Sequence, residues 1–400
     1  MRVIEGIERR EPDAARPGEV AEIIRAVRAG GDRALTELTA RHDGVELGPG
    51  ELRVDLSGAP EPEPGLAQAL ETAIENVRSV GEAQLGAPVS VDLAQGQRVE
   101  VSDLPVPRAG VYVPGGRAPY LSTVVMGAVT ARAAGVAEVV VCSPGAHPLV
   151  VAACVACGVD EVYRVGGAQA IAALAHGTES VPAVDVIAGP GNAWVTEAKR
   201  QVFGQVGIDG LAGPSELVVV AAPDADPELV ALDLLAQAEH GADSPVVLIA
   251  LDRPLLEAVV AAVERMAPER PSVTDAELRV AHIAAPREAL RAAERFAPEH
   301  LQLIGAEAEE LAGDVRRAGC LFVGPGAGTA FGDYVAGSNH VLPTGGAARF
   351  QSALSVSTFR RRMARVSLPG EAPARLAPAG AALARAEGFP VHAESMERRA

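Results

Sequence analysis

Two short segments of the chain combine an imidazole with a carboxylate or an amide, the side chains that move protons and hold divalent metals. Glu299 and His300 are adjacent in Ala-Pro-Glu-His-Leu, and Gln237 precedes His240 by three positions in Gln-Ala-Glu-His. On a helix, residues three apart project to the same side and can hold one ion or ligand. A histidine in the last turn of a helix also interacts favourably with the helix dipole, so both interpretations of His240 stay open.

Two further histidines lie near carboxylates. His340 follows Asp333 by seven positions, and His392 follows Glu387 by five. A neighbouring carboxylate tunes the pKa of a general base, and it also orients an imidazole that binds a metal ion. Nitrogen and oxygen ligands from separate segments suit zinc, which accepts both. The spacing leaves open whether these residues form a metal site, and it does not single out Gln237, because neutral amides are poor metal ligands.

The composition indicates a globular protein with an interior of small aliphatic side chains. The chain has 400 residues, of which 48% are hydrophobic and only 3% aromatic, and its net charge is −17. This length suggests ~2–3 domains. An acidic surface repels phosphate backbones and anionic lipids, so we expect neither a nucleic acid nor a membrane as partner. A small cationic substrate suits this charge better. The first residues lack the apolar core of a signal peptide, so we expect a cytoplasmic protein.

Short β-branched runs alternate with alanine-rich helices from residue 109 onward, which is typical of βαβ units on parallel sheets. The predicted strands cover 110–113, 137–142, 161–164, 184–187 and 216–220, and the helices between them lie near 119–134, 146–157, 167–175 and 192–205. The alternation resumes with a helix from Pro227 to His240, on which Leu229, Leu232 and Leu235 predict one apolar face. It continues through a strand over 245–250 and a helix over 254–266 to a last strand at 322–323.

The ends of the chain follow a different pattern. Helices are predicted over 17–40 and 65–80, and after about residue 350 the tail shows helical stretches without a further strand pattern. The fold class that we expect is α/β, with two Rossmann-like doubly wound domains and small helical extensions at both termini.

Several glycine-rich loops lie where a predicted strand gives way to a helix, the place where an open α/β sheet binds ligands. They are Val113-Pro-Gly-Gly-Arg-Ala-Pro-Tyr120, Gly166-Gly167-Ala-Gln169 and Gly189-Pro-Gly-Asn192. Their backbone amides could receive phosphate groups, or the glycines could serve only tight turns with positive φ. None of them is a G-x-G-x-x-G followed by an acidic residue at the expected distance, so spacing alone does not establish a dinucleotide site.

The motifs named so far, taken in their joint order and spacing, resemble the histidinol dehydrogenase family from about residue 20 to the end of the chain. The segments that carry the resemblance are Gln237-Ala-Glu-His240, Ala297-Pro-Glu-His-Leu301, Gly332-Asp-Tyr334 with Ser338-Asn-His-Val-Leu-Pro-Thr344, Gly189-Pro-Gly-Asn192 with Thr196-Glu-Ala-Lys-Arg200, and Glu387-Gly388 with His392. The resemblance implies oxidation of L-histidinol to L-histidine through the aldehyde, with two NAD⁺ and one zinc ion per subunit, as the last step of histidine biosynthesis.

The resemblance also implies roles for individual residues. The catalytic bases are His300 for the alcohol and Glu299 for the water that hydrates the aldehyde. The implied zinc ligands are Gln237, His240, Asp333 and His392. The implied substrate contacts are Ser215, Gln237, His240, His300, Asp333, His340, Glu387 and His392. The implied NAD contacts are Tyr112, Gln169 and Asn192.

In this family the tail that carries His392 crosses to the other subunit, which implies a homodimer with shared active sites. The expected boundaries are a helical arm over 1–24, a first Rossmann-like domain over 25–109 and 217–354, a second on the NAD side over 110–216, and a tail over 355–400 that reaches the partner subunit. Two departures from the family pattern are Pro390, within the segment that leads to His392, and the segment Met126-Gly-Ala-Val-Thr-Ala-Arg132, where the family more often has Asn and Pro.

Two alternatives accompany this interpretation. The first is a related zinc and NAD dehydrogenase that oxidises another primary alcohol to its acid, but Glu387 favours the cationic histidinol over an anionic substrate. The second is a zinc-dependent binding protein or hydrolase on an α/β scaffold. It predicts that no NADH forms when histidinol, NAD⁺ and zinc are mixed with the protein.

Overall fold

Short valine-rich segments form the strands of two parallel sheets, which confirms the predicted α/β class. The computed structural model describes residues 1–9, 16–48, 50–115, 118–273 and 275–400. The strands are β1 (Arg2–Glu5), β2 (Val89–Asp92), β3 (Arg98–Pro105), β4 (Arg108–Tyr112), β5 (Glu138–Cys142), β6 (Glu161–Tyr163), β7 (Val186–Ala188), β8 (Gly207–Ile208), β9 (Leu217–Ala221), β10 (Val246–Ala250), β11 (Glu277–His282), β12 (His300–Ile304), β13 (Cys320–Val323) and β14 (Arg360–Ser367).

The helices lie mainly between these strands. They are α1 (Pro17–Asp43), α2 (Pro64–Ala83), α3 (Leu121–Val124), α4 (Thr130–Ala133), α5 (Pro148–Ala156), α6 (Gly167–His176), α7 (Ala193–Val202), α8 (Pro227–Ala238), α9 (Arg253–Met266), α10 (Pro286–Phe296), α11 (Ala306–Glu309), α12 (Thr329–Tyr334), α13 (Ala372–Ala386) and α14 (Pro390–Glu397). Within the described ranges, no helix is both long and apolar enough to cross a membrane.

The chain divides into two compact units. The first unit contains Met1–Gln84 and Val106–Phe359, and the second contains Leu85–Pro105 and Arg360–Ala400. In the first unit, β1-β11-β10-β9-β12-β13 form a six-stranded parallel sheet and β6-β5-β4-β7-β8 form a five-stranded parallel sheet. The second unit holds a three-stranded antiparallel sheet, β14-β3-β2, together with α13 and α14.

Both parallel sheets are covered on their two faces, which explains why central strands such as β9 and β10 are continuous apolar runs without alternation. In β9, Leu217 and Val219 pack into one cluster of buried side chains, while Val218 and Val220 pack into a second cluster on the other face. All four side chains are fully buried. The predicted runs of valine and leucine are therefore the centres of the sheets.

The predicted apolar face of helix α8 contains three leucines, and the prediction that they are buried was wrong for two of them. Leu229 and Leu232 are 40% and 41% exposed, and only Leu235 is buried. The buried face instead consists of Val230, Ala231, Leu234, Leu235, Gln237 and Ala238. Residues spaced by three do not stay on one face, because a helix has about 3.6 residues per turn. The buried residues follow this helical period. Gln237 therefore belongs to the buried face of α8.

The prediction that the tail lacks strands was also wrong, because β14 pairs with β3 along its whole length. Every residue of β14 after Arg360 is exposed, and the strand is rich in arginine, so no apolar alternation marks it. The hairpin of β2 and β3 escaped prediction for the same reason, since β2 is exposed throughout. The predicted helix over 119–134 is interrupted by a π-helical turn at Val125–Val129.

Candidate active site

The loop between α10 and β12 places Glu299 and His300 at the amino-terminal end of β12, an interior strand of the six-stranded sheet. Helix α10 ends at Phe296, and Ala297 adopts a left-handed conformation with φ of 49°. The residue before a proline is disfavoured in the α-helical region, so Pro298 prevents the helix from continuing. The left-handed backbone conformation is strained for an alanine, and strained residues are found preferentially at functional sites. The turn delivers His300 as the first residue of β12.

Glu299 is a buried carboxylate held by two neighbours. Its exposed fraction is 5%, and its Oε2 accepts a hydrogen bond of 2.7 Å from the backbone N–H of Glu216. Burial raises the pKa of Glu299 to about 8, although hydrogen bonds from Ser215 and from the Glu216 amide act in the opposite direction. A carboxylate with a pKa near neutrality can both take up and release a proton under physiological conditions.

His300 is oriented by a backbone carbonyl. Its Nδ1 lies 3.1 Å from the carbonyl oxygen of Glu216, and its side chain is 3% exposed. A carbonyl oxygen only accepts hydrogen bonds, so Nδ1 carries the proton and Nε2 carries the lone pair. Nε2 lies 3.8 Å from Oδ1 of Asp333. Burial lowers the pKa of His300 against the opposing effect of Asp333, which keeps the imidazole neutral and able to act as a base.

His240 and Asp333 line one cavity, and Gln237 contacts the wall of that cavity through Ser215. Gln237 is buried in the last turn of α8, and its Nε2 donates to Oγ of Ser215 at 3.0 Å, so its amide oxygen remains available as an acceptor. His240 follows α8, and its Nε2 lies 3.8 Å from Oδ2 of Asp333. Burial raises the pKa of Asp333, but His240 and the other nearby imidazoles outweigh this effect and lower it below the ordinary value.

The imidazole of His340 fixes the position of Asp333 by contacting the backbone carbonyl of Asp333. Its Nδ1 lies 2.9 Å from the carbonyl oxygen of Asp333, and its Nε2 lies 3.2 Å from Oγ1 of Thr123. With Nδ1 as donor to the carbonyl, Nε2 accepts from the hydroxyl of Thr123. Both ring nitrogens are therefore engaged, and the imidazole joins Asp333 of α12 to Thr123 of α3, two residues that line the same cavity. Thr123 was not predicted as a site residue, and nothing in its local sequence marks it.

Most of the candidate site residues line one cavity of about 390 Å³ between the two parallel sheets. Ser215, His240, Glu299, His300, Asp333 and His340 all contribute to its wall. Among the residues that the structure describes, no group of three or more His, Cys, Asp or Glu side chains is arranged to hold a metal ion. Glu387 and His392 belong to the second compact unit, where Glu387 caps α13 and the ring of His392 lies 5.4 Å from that of Phe389.

A second cavity of about 580 Å³ is lined by Tyr112, Gln169 and Asn192 together with Asp43 and Trp194. The hydroxyl of Tyr112 accepts a hydrogen bond of 3.1 Å from the backbone N–H of Gly167. Gln169 is 1% exposed, and its Nε2 donates to Oδ2 of Asp43 at 3.2 Å. Asp43 was not predicted as a site residue, although its position as the last residue of α1, before Gly44, marks a helix end.

Asn192 connects the two cavities, because it lines both, as do Pro114 and Gly115. Its Oδ1 accepts hydrogen bonds from the backbone amides of Trp194 and Val195 and so caps helix α7. The neighbouring Gly189 has a φ of 121°, and a Cβ there would lie 2.0 Å from the carbonyl oxygen of Tyr112. This glycine is required by close packing of two strand ends. Gly116 and Arg117 of the predicted loop before Tyr120 lie outside the described residues.

The chain matches known proteins over nearly its whole length. The family model described as histidinol dehydrogenase matches residues 8–400. The chain is 43% identical to the histidinol dehydrogenase of Pseudomonas syringae over 95% of this chain and 88% of that protein. It is 44% identical to the enzyme of Parasynechococcus marenigrum, with 96% of this chain and 90% of that protein covered.

A solved structure agrees with these sequence matches. The crystal structure of histidinol dehydrogenase from Elizabethkingia anophelis has a TM-score of 0.93 and 29% identity, and the match covers 100% of this chain and 98% of that one. The chain therefore belongs to the histidinol dehydrogenase family, whose members are oxidoreductases of histidine biosynthesis.

Proposed function

We propose that this protein oxidises L-histidinol to L-histidine through L-histidinal, with two NAD⁺ as oxidants and one zinc ion per subunit. The observation that carries the proposal is the pair of buried bases, Glu299 and His300, which open onto the same cavity as His240 and Asp333. The first oxidation converts the alcohol and NAD⁺ to the aldehyde, NADH and a proton. The second converts the aldehyde, water and NAD⁺ to the carboxylate, NADH and two protons.

His240 and Asp333 at the cavity wall fit a zinc ion together with the buried Gln237, which contacts Ser215. Gln237, His240 and Asp333 offer an amide oxygen, an imidazole nitrogen and a carboxylate oxygen, and His392 of the partner subunit would add a second nitrogen. The negative charge of Asp333, of Glu299 and of Glu239 raises the pKa of His240 although burial acts to lower it. A divalent cation would offset the same excess of negative charge. Zinc, when bound, supplies a positive centre that orients the amine and imidazole nitrogens of histidinol.

His300 prepares the alcohol for hydride loss. Nε2 carries the lone pair and faces the cavity, while the hydrogen bond from Nδ1 to the Glu216 carbonyl holds the ring in place. The imidazole takes the proton from the substrate hydroxyl, because an alcohol does not release hydride until its oxygen begins to carry negative charge. NAD⁺ bound in the adjacent cavity would supply the acceptor for the hydride of the carbinol carbon.

Glu299 acts on the aldehyde. An aldehyde must add water before a second hydride can leave, and the carboxylate of Glu299 takes a proton from that water as it adds to the carbonyl carbon. The two bases are neighbours in sequence, and Oε2 of Glu299 lies 3.5 Å from Nδ1 of His300. Their opposite pKa shifts, upward for Glu299 and downward for His300, suit a division of the two proton transfers.

Other polar residues bind the substrate and the cofactor. Ser215 and His340 line the cavity and would contact histidinol, and Glu387 offers a carboxylate for the cationic amine. Tyr112, Gln169 and Asn192 would contact NAD⁺ in the adjacent cavity, which has room for part of a dinucleotide. Because Asn192 lines both cavities, a cofactor held in the second cavity would lie next to the substrate.

The working unit in this proposal is a cytoplasmic homodimer, in which each site receives Glu387 and His392 through the tail of the other subunit. The buried, unpaired cysteines Cys142, Cys154 and Cys157 are consistent with a reducing compartment. Burial raises the pKa of the Cys142 and Cys157 thiols to about 12, so these cysteines are poor nucleophiles and the scheme uses none of them.

The test is the stoichiometry of the reaction. The purified protein is mixed with zinc, excess NAD⁺ and a limiting amount of L-histidinol, and both NADH and histidine are measured at completion. We expect about two equivalents of NADH and one of histidine per histidinol, because each oxidation transfers one hydride. A yield near one, with histidinal as the product, contradicts the four-electron reaction. Oxidation of other primary alcohols in preference to histidinol would favour the related-dehydrogenase alternative.

A further inference from the structure

Glu216 holds both bases of the candidate active site through its backbone. Its N–H donates to Oε2 of Glu299 at 2.7 Å. Its carbonyl oxygen lies 3.1 Å from Nδ1 of His300 and accepts a second hydrogen bond from the backbone N–H of the same residue. One peptide segment therefore sets the direction of the carboxylate and of the imidazole. A displacement of this segment would move both bases together.

The side chain of Glu216 is clamped by an arginine from the N-terminal segment. Nε of Arg9 donates to one carboxylate oxygen at 2.8 Å, and Nη2 donates to the other at 3.0 Å. The amide of Gly345 donates to Oε1 at 3.1 Å. The Glu216 side chain is 3% exposed, and that of Arg9 is 23% exposed, so water screens the pair weakly.

Arg9 is itself fixed by helix α10, which leads into Glu299. Its Nη2 also donates to the carbonyl oxygen of Phe296 at 2.7 Å, and its guanidinium lies 4.0 Å from the centre of the Phe296 ring. Phe296 is the last residue of α10, three positions before Glu299. Arg9 thus joins the two backbone segments that flank the bases, one through the Glu216 carboxylate and one through the Phe296 carbonyl. Neither contact touches the cavity.

We infer that Arg9 is a positioning residue for the oxidation chemistry, acting on Glu299 and His300 through Glu216 and the end of α10. This inference rests on the proposed function for its kinetic readout. A guanidinium suits the role because its planar donors bind a carboxylate in two-point geometry, which a lysine ammonium cannot reproduce. A small misplacement of a catalytic group can cost up to about a hundredfold in rate without a loss of substrate affinity.

The experiment compares Arg9→Met with Arg2→Met as a matched control. Arg2 lies in the strand β1 of the same N-terminal segment, is 73% exposed and pairs with Glu277 away from the site. For Arg9→Met we expect kcat to fall about tenfold or more, with the KM for histidinol and the zinc content within about twofold of the wild type. Arg2→Met should retain the wild-type kcat. Arg9→Lys keeps the charge but not the geometry, and its kcat should fall between those of Arg9→Met and the wild type.

A second readout needs no catalysis. Hydrogen–deuterium exchange of the segment 213–218 reports how firmly the Glu216 amide is held, and we expect faster exchange in Arg9→Met than in Arg2→Met or the wild type. A kcat equal to that of the control, a loss of kcat accompanied by an equal loss of zinc, or unchanged exchange in this segment would overturn the inference. If the wild type produces no NADH from histidinol, the proposed function fails instead, and the exchange measurement still decides the role of Arg9.

Discussion

Oδ2 of Asp333 lies 3.8 Å from Nε2 of His240, although one residue belongs to α12 and the other follows α8. The pair brings a carboxylate oxygen and an imidazole nitrogen together at one cavity wall. Gln237 lies in the last turn of α8, three positions before His240, and its Nε2 donates to Ser215 at the cavity wall. This convergence is the structural basis for the proposed zinc site.

Asp333→Ala should remove most of the bound zinc. We expect the affinity for zinc to fall at least about tenfold, since the loss of a residue that only supports a metal ligand already lowers metal affinity tenfold or more. The measurement is zinc content by atomic absorption after dialysis against a weak chelator. Asp243→Ala is the matched control, because Asp243 is an exposed carboxylate that lines the same cavity and is not a proposed ligand. Wild-type zinc content in Asp333→Ala would exclude the proposed ligand set.

Binding of NAD⁺ should change the fluorescence of Trp194, the only tryptophan of the chain, which lines the proposed cofactor cavity. Gln169→Ala should weaken binding roughly tenfold, because loss of one or two hydrogen bonds to a ligand corresponds to about 1–2 kcal/mol. Gln201→Ala removes an amide of the same helix as Trp194 and should leave binding unchanged. An NAD⁺ titration without a fluorescence change, or equal affinities for the two variants, would place the cofactor elsewhere.

Mixed dimers test whether the sites are shared. His240→Ala and His392→Ala should each be inactive alone, because each removes a proposed zinc ligand. If His392 serves the partner's site, co-refolding the two variants in equal amounts restores one intact site in each mixed dimer and recovers about a quarter of the wild-type activity. Absence of any recovery would mean that His392 serves the site of its own subunit.

Oxidation of the aldehyde should depend on the ionisation of Glu299. Burial raises the pKa of this carboxyl to about 8, and only the ionised form can accept a proton from water. The rate of histidinal oxidation should therefore rise as the pH increases towards about 8 and level off above it. Initial rates measured with histidinal as the substrate provide the profile. A Glu299→Gln variant should lack this rise, and an identical profile in the variant would assign the ionisation to another group.

The parallel sheets were predictable from sequence because their strands carry their own signal. A strand that is buried on both faces can be a continuous apolar run, as Leu217–Ala221 is. The antiparallel sheet of the second unit was not predictable, since β14 is exposed along most of its length and its arginines pair with acidic residues of β3 such as Asp103. Such a strand has no apolar face for periodicity to detect.

The candidate site was predictable in its residue types but not in its geometry. The adjacent Glu299 and His300 stood out by chemistry alone, whereas the approach of Asp333 to both His240 and His300 depends on how separate segments meet. Arg9 could not have been found, because its partner Glu216 lies in a distant segment and no local motif surrounds it. Contacts between distant segments leave no mark on local spacing.

The central claim is that Glu299 and His300 divide two oxidations between them at one site. The most direct measurement is the NADH yield per histidinol in Glu299→Gln, with zinc content verified. The account predicts a yield that falls from about two to about one, with histidinal accumulating, because hydration of the aldehyde is impaired while His300 still removes the alcohol proton. A yield that stays at about two, at the wild-type rate, would contradict it.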